Sequence, residues 1–393
     1  MKNIGGCEIK DADSRPDLFF VSTGGSENRI LSAFYKCLKQ NRRQPLYLVA
    51  HPHRNSLPAA LEVLARVRQE GHVGRIFFMR QVGDERSWLT LQSALTDLAV
   101  LHSLSKARIG CFGEPSDWLV ASSPSMAIVK KQWGMQLIPI DMAPILAKIR
   151  KSIENQSKKN SEKTLARNDV TSLFKNARAV REPTPLDLQN AVIGYEIVKE
   201  MVQTHRLDAL TIRCFDMVME LGVTGCYALS RLSDEGVMAG CEGDIPSILG
   251  MLWAYQLTGN IPWMANPAYL DNTENSLWLA HCTVPPSLVK TVEVRSHFET
   301  GQSVAFAGDF APGPVTLLRL GGAQLTEVWL AEGCITETGR DENRCRTQIK
   351  IQLDREAAVR DLLEEPLGNH IVLVSGRHQE RLSGWWHNMG MSR

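Results

Sequence analysis

Four apolar, strand-like segments between residues 207 and 286 each end on a side chain that can do chemistry. Leu210 to Phe215 runs into Asp216, Val237 to Cys241 into Glu242, Ile261 to Ala265 into Asn266, and Leu277 to Ala280 into His281. Carboxylate, amide and imidazole groups gathered at one sheet edge form the oxygen and nitrogen donor set that suits a divalent cation such as Mn2+. A carboxylate held ionised there also serves as a base. Glu242 stands between a strand and a helix N-terminus, where backbone N–H groups favour an anion, so capping and chemistry are equally open for it. Asp244, two residues on, reads as the cap itself. Taken singly, Asn266 and His281 read as hydrogen-bonded residues that tie strand ends together. His370 joins the set only if the tail of the chain folds back over the sheet.

The elements that must position these groups follow from local signals. Asp244 as N-cap, Pro246 in the first turn and Gly259 past the end bracket a helix, so this stretch reads strand, helix, strand. A right-handed crossover then puts Glu242 and Asn266 on the same edge of one parallel sheet. The first third has the same βαβ rhythm, with strands at Leu18 to Ser22, Leu46 to Ala50 and Arg75 to Met79. Gly24-Gly25-Ser26-Glu27 and His51-Pro52-His53-Arg54-Asn55-Ser56 follow the first two, at the strand ends where ligand groups collect. A second series starts at Arg108 to Phe112 and Gln136 to Ile140. Ser157 to Lys163 is polar and reads as a surface loop, and Leu186 to Gln203 as a helix. From about Ser296 short alternating segments with Gly and Pro punctuation indicate an antiparallel β unit. The expected fold is α/β: two Rossmann-like parallel-sheet domains, 1–106 and 107–290, then a mainly antiparallel, barrel-like β domain over 291–393.

Composition narrows the classes of function. The 393 residues are 44% hydrophobic and 22% charged with a formal charge of +1, an ordinary globular balance. Lys and Arg are scattered, which argues against a nucleic-acid partner. The start, MKNIGGCEIKDADSRPD, lacks the apolar core of a secretory signal, and no long apolar run offers a membrane span, so a cytoplasmic protein is expected. Nine cysteines without a C-x-x-C pair read for the most part as buried reduced thiols. Gly24-Gly25-Ser26 lacks the G-x-G-x-x-G spacing of a dinucleotide site. His51 and His53 read as a surface pair, and Trp385-Trp386 as core packing or a subunit contact.

Several motifs in order carry a resemblance. Cys241-Glu242-Gly243-Asp244-Ile245, Leu257-Thr258-Gly259 and Pro262-Trp263-Met264-Ala265-Asn266-Pro267 resemble the catalytic region of the L-fucose/L-arabinose isomerase family. Val315 to Leu320, Cys345-Arg346-Thr347 and Gly368-Asn369-His370 are similar to its C-terminal domain. The resemblance implies a metal-dependent aldose–ketose isomerase working through a cis-enediol, with Mn2+, or Mg2+ or Co2+, held by Glu242, the residue at 266 and His370. The family's aspartate is Asn266 here, which can offer an oxygen but cannot move a proton near neutral pH. Glu242 is then the base that shuttles a proton between C2 and C1, and Asp216, Asp271 or water is the candidate partner. By the same resemblance Glu27, Asn55, Ser56 and Trp118 face the sugar, and His281, on the same sheet edge, is an extra ligand or substrate contact. A deoxyhexose, a pentose or an anionic sugar such as sulfoquinovose is the implied substrate, with Arg29, Arg54 or Arg213 for the anionic end. A homo-oligomer with active sites near subunit interfaces is implied too. The competing reading is a non-catalytic sugar-binding or sensor protein of the same fold.

Overall fold

In a computed structural model the described residues are 17–40, 43–158, 174–354 and 356–391. They divide into two compact units, one formed by the chain up to His102 together with Gly384–Arg393, the other by Ser103–Ser383.

In the first unit β1 (Phe19–Phe20), β2 (Leu46–Ala50) and β3 (Gly74–Phe78) form a parallel sheet in that order. The central strand is buried along its whole length, which explains why it reads as an unbroken apolar run rather than an alternating one. Helices Glu27–Gln40 and Ser56–Gln69 pack Phe34, Ala59, Ala60, Val63 and Val67 on Leu46 and Leu48. The chain end belongs to this unit through Trp385, whose indole N–H donates to the Asp97 carbonyl at 3.0 Å.

The second unit opens on four strands, β4 (Arg108–Phe112), β5 (Gln136–Ile140), β7 (Ala209–Ile212) and β8 (Met238–Cys241), parallel in the order β5-β4-β7-β8. A small sheet joins β6 (Ala179–Val180), β11 (Val289–Arg295) and β12 (Ala305–Phe310). Six strands close an antiparallel barrel: β9 (Trp263–Asp271), β10 (Ser276–His281), β13 (Gly313–Gly321), β14 (Glu327–Thr338), β15 (Thr347–Leu353) and β16 (Ile371–Ser375). Parallel α/β sheets with an antiparallel barrel towards the C-terminus are the expected fold class.

One expectation is corrected here. Asn266 and His281 do not extend the parallel sheet that carries Glu242. The helix Ile245–Thr258 follows β8 as its caps require, but the next strand, β9, pairs antiparallel with β10 and β16 and belongs to the barrel. The reason is the turn after β9, where the Asp271 carboxylate accepts from the Thr273 and Glu274 N–H groups at 2.8 and 2.9 Å. That Asx turn folds β9 directly onto β10 as a hairpin, leaving no crossover to return the chain to β8. The helix read at Leu186 to Gln203 spans Pro185–His205 behind a Thr184/Asp187 capping box. The polar stretch from Ser157 lies from residue 159 outside the described residues, and Met142–Lys158 before it is helical. Eight described cysteines are free thiols, five of them buried. Among the described residues no helix is long and apolar enough to cross a membrane.

The small sheet is fastened by charge. Glu293 on β11 accepts from Arg181 at 2.7 Å and from Arg178, which also reaches Asp309 at 2.9 Å. The Arg181 hydrogen bond first, and then Arg178, overcome partial burial and lower the Glu293 pKa from 4.5 to about 2. The folded pKa is the lower one, so this contribution to stability is complete above about pH 4.5 and disappears as pH falls towards 2. Glu293→Gln is therefore expected to lower Tm at neutral pH and to leave it close to the unsubstituted protein near pH 2.5. Parallel Tm curves across that window would refute the linkage.

Candidate active site

Glu242 owes its position to backbone geometry. It leaves β8 with φ 63, and Gly243 follows with φ 77, so two left-handed residues in a row turn the chain sharply into the helix Ile245–Thr258. A left-handed glutamate costs energy, and the surrounding structure must hold it there. The Glu242 carbonyl accepts from the Ser116 N–H at 2.9 Å. A Cβ on Gly243 would stand 2.6 Å from the Pro115 Cα, so the Pro115 segment and the turn touch through the glycine. Gly243→Ala adds that clash to a left-handed backbone cost of about 1–3 kcal/mol. A lower urea midpoint with unchanged m-value is the expected result, and an unchanged midpoint would mean that the turn relaxes freely.

Behind the turn lies a buried polar chain. Asp244 caps the helix by accepting from the Ser247 N–H at 2.8 Å, as its position suggested. It also pairs with Arg319 Nη1 at 2.9 Å, both side chains being fully buried. Arg319 also donates to Ser247 Oγ, Ser122 Oγ and the Leu367 carbonyl. Asp244 Oδ2 lies 2.9 Å from His370 Nδ1. An ionised carboxylate only accepts, so the His370 proton sits on Nδ1 and Nε2 points the other way, 3.6 Å from Glu242 Oε1. That Nε2 is buried without a hydrogen-bond partner.

His281 stands beside it, ring centroids 5.5 Å apart, its Nδ1 held 2.7 Å from Thr283 Oγ1. The ligating atoms of Glu242, His281 and His370 all lie within 4.8 Å of one another. Burial disfavours the His370 imidazolium, but Asp244 and Glu242 outweigh it and push its pKa up to about 9. Burial, followed by the His370 charge, pushes His281 down to about 3 and keeps it neutral. Burial raises the Glu242 carboxyl, yet His370, Trp118 and His281 together hold it below the ordinary value. The pocket thus favours positive charge beside Glu242 and offers it a carboxylate oxygen and two imidazole nitrogens. The partnerless Nε2, with its Nδ1–H fixed by a carboxylate, is the arrangement a metal-binding histidine needs. The donor set fits a first-row divalent cation.

Trp118 forms the exposed wall, donating from Nε1 to Glu242 Oε2 at 2.6 Å and meeting the Phe215 ring edge-on at 5.2 Å. Glu242, His370, His281 and Trp118 are thus brought together, and Asp244 and Arg319, read as a cap and not singled out respectively, support them. Asn266 sits on β9 opposite Ala280, half-buried, and its side chain makes no hydrogen bond with a described residue. Asp216 lies in the first turn of the helix Cys214–Leu221, where Arg213 holds its carboxylate at 3.1 Å. The Arg213 guanidinium also pairs with both oxygens of Asp117, so it is not an open anion site. Glu27, Asn55 and Ser56 belong to the first unit. Ser56 is buried, accepting from the His51 N–H at 3.1 Å and donating to the Val21 carbonyl, which gives it a structural task.

No protein-family model matches the chain. Among curated proteins it is similar to the sulfoquinovose isomerases of Priestia aryabhattai and Priestia megaterium (strain ATCC 12872 / QMB1551), each 26% identical over 299 residues. Those matches cover 72% of this chain and 63% of the relative, less than two thirds of the relatives' length. The sulfoquinovose isomerase of Clostridium sp. (strain MSTE9) is 31% identical over 116 residues, 29% of this chain and 26% of the relative.

Proposed function

We propose that this protein is an aldose–ketose isomerase acting on sulfoquinovose or a closely related sulfonated aldose, with a divalent cation held by Glu242, His281 and His370. The observation that carries the reading is the partnerless buried Nε2 of His370, aimed beside an ionised carboxylate and a neutral imidazole. The relatives' activity supplies the substrate class, and the motif resemblance to the L-fucose/L-arabinose isomerases agrees with the reaction class. When bound, the cation polarises the substrate carbonyl and stabilises the enediolate charge.

The chain's own residues do the rest. Glu242, ionised and fixed by the Trp118 N–H, takes the proton from C2 of the sugar and returns it at C1. Trp118, half exposed, offers a platform for the apolar face of the pyranose or open chain. Asp244 keeps a proton on His370 Nδ1, so Nε2 is the nitrogen that would bind the cation, which would take the place of the second imidazolium proton. Asn266, near the end of the same barrel ladder, supplies an oxygen and an N–H for the sugar but no proton.

Incubating the protein with a chelator, removing the metal and following conversion of sulfoquinovose to its 2-ketose by NMR tests the proposal. Turnover is expected to vanish and to return with Mn2+, and Mn2+ is expected to raise the Tm of the apo protein. Unchanged turnover after complete chelation would sink the metal, and no turnover of any sulfonated or neutral aldose would sink the isomerase.

A further inference from the structure

The isomerisation moves two protons, one between carbons and one between oxygens, and Glu242 accounts only for the first. Asn266 cannot carry a proton near neutral pH, and the Asp216 carboxylate is engaged by Arg213. Two further titratable groups of the second unit feel the Glu242 charge, Glu299 and His297, and it is His297 that ring contacts join to the site. His297, in the loop between β11 and β12, is only 8% exposed. Its Nδ1 lies 3.1 Å from Thr300 Oγ1, and its Nε2 makes no hydrogen bond with a described residue. The ring meets the edge of Phe215 at 5.8 Å and 80°. Phe215 meets Trp118 at 5.2 Å, and Trp118 donates to Glu242 at 2.6 Å, so four side chains run in unbroken contact from His297 to the carboxylate. The loop is tied down: the His297 N–H donates to the Gln302 carbonyl, the Gly301 N–H to the His297 carbonyl, both at 2.9 Å, and the Ser296 N–H to Glu182 at 3.0 Å.

We infer that His297 is the second proton-transfer group, its Nε2 taking the proton from the oxygen on C2 and giving it to the oxygen on C1. This rests on the proposed isomerase reading. The step balances: the proton lost by the C2 hydroxyl reappears on the C1 oxygen, as the C2–H proton reappears on C1 through Glu242, and no oxidant or co-reactant is needed. The Thr300 hydroxyl can accept from Nδ1–H, so the ring can keep that proton while Nε2 takes one from one oxygen and gives it to the other. Burial and the nearby Arg346 charge outweigh Glu242 and keep the imidazole below its usual pKa, leaving a lone pair available at neutral pH. The group that can share a cation comprises Glu242, His281 and His370 and does not include His297, so metal binding and proton transfer at His297 are separable.

The test uses full-length, Mn2+-loaded protein carrying His297→Gln or His297→Ala. The expected result is a fall in kcat of about 10²–10⁴-fold with KM changed only a few-fold. Mn2+ affinity, read by calorimetry or by the electron-spin signal of free Mn2+, is expected to stay unchanged, and added imidazole to restore part of the activity of His297→Ala. A variant as active as the unsubstituted protein would overturn the role of His297 alone, and so would a loss that follows a parallel fall in Mn2+ affinity and ignores imidazole. An unsubstituted protein that turns over no aldose with Mn2+ would overturn the isomerase reading and this inference with it.

Discussion

Glu242→Gln is expected to lower kcat on the sulfonated aldose by about 10²–10⁴-fold, the loss that follows removal of a positioned proton-transfer group. The substitution keeps the size of the side chain, and an amide oxygen can still accept the Trp118 N–H that lies 2.6 Å away. What it removes is the ability to take a proton and the charge that faces His370. Mn2+ affinity is expected to fall as well, because one of three ligating groups changes from carboxylate to amide. The fold persists, since the turn is set by the backbone of Glu242 and Gly243 and by the Ser116 N–H rather than by the carboxylate. Trp118→Phe is the companion variant: it retains a ring face and deletes only the donor, so a loss of about tenfold or less is expected, the scale of one hydrogen bond. Turnover by Glu242→Gln at the rate of the unsubstituted protein would remove Glu242 from the chemistry and leave the cluster as a structural ion site.

Why Glu242 was legible in the sequence and its supports were not is a matter of range. A helix cap, a proline in the first turn and a glycine past the end are local signals, and the helix Ile245–Thr258 ends where they say. They place Glu242 at a strand-to-helix junction without any tertiary information. The parallel sheets are legible for the same reason, because a fully buried strand writes an unbroken apolar run. The barrel was legible only in part. Its later strands alternate visibly, but β9 and β10 read as two more parallel strands because each ends on a polar residue after an apolar run. The Asp271 turn between them was the available sign of a hairpin. His370 entered through family resemblance, since 126 residues separate it from the Asp244 carboxylate that orients it. Arg319 left one trace, a charge inside the apolar run Val315 to Leu320, which in a buried strand requires a partner. Nothing local says that the partner is Asp244, 75 residues earlier.

That buried pair carries the second large expected effect. Arg319→Met leaves the Asp244 carboxylate and His370 facing each other with the guanidinium gone, and Asp244→Ala leaves the guanidinium with only hydroxyl and carbonyl partners in a fully buried position. Removing one partner of such a pair costs about 3–5 kcal/mol, most of it the penalty for the charge left behind. Arg319 also fills the space against Gly368, where a Cβ would stand within van der Waals overlap of the guanidinium, so the smaller methionine leaves a void as well. The double variant Asp244→Asn with Arg319→Met leaves no uncompensated charge and is expected to lose clearly less stability than the losses of the single variants Asp244→Asn and Arg319→Met added together. Activity separates structure from function in the same set. Asp244→Asn can no longer accept from Nδ1 as an anion, so His370 loses the partner that fixes its tautomer, and Mn2+ affinity is expected to drop by about 10–100-fold, the usual cost of losing such an orienting group. Arg319→Met, which spares the Asp244–His370 contact, is expected to lose more stability than metal affinity. Additive stability losses across the cycle, or Mn2+ binding untouched in Asp244→Asn, would show that the chain from Arg319 to His370 does not act as a unit.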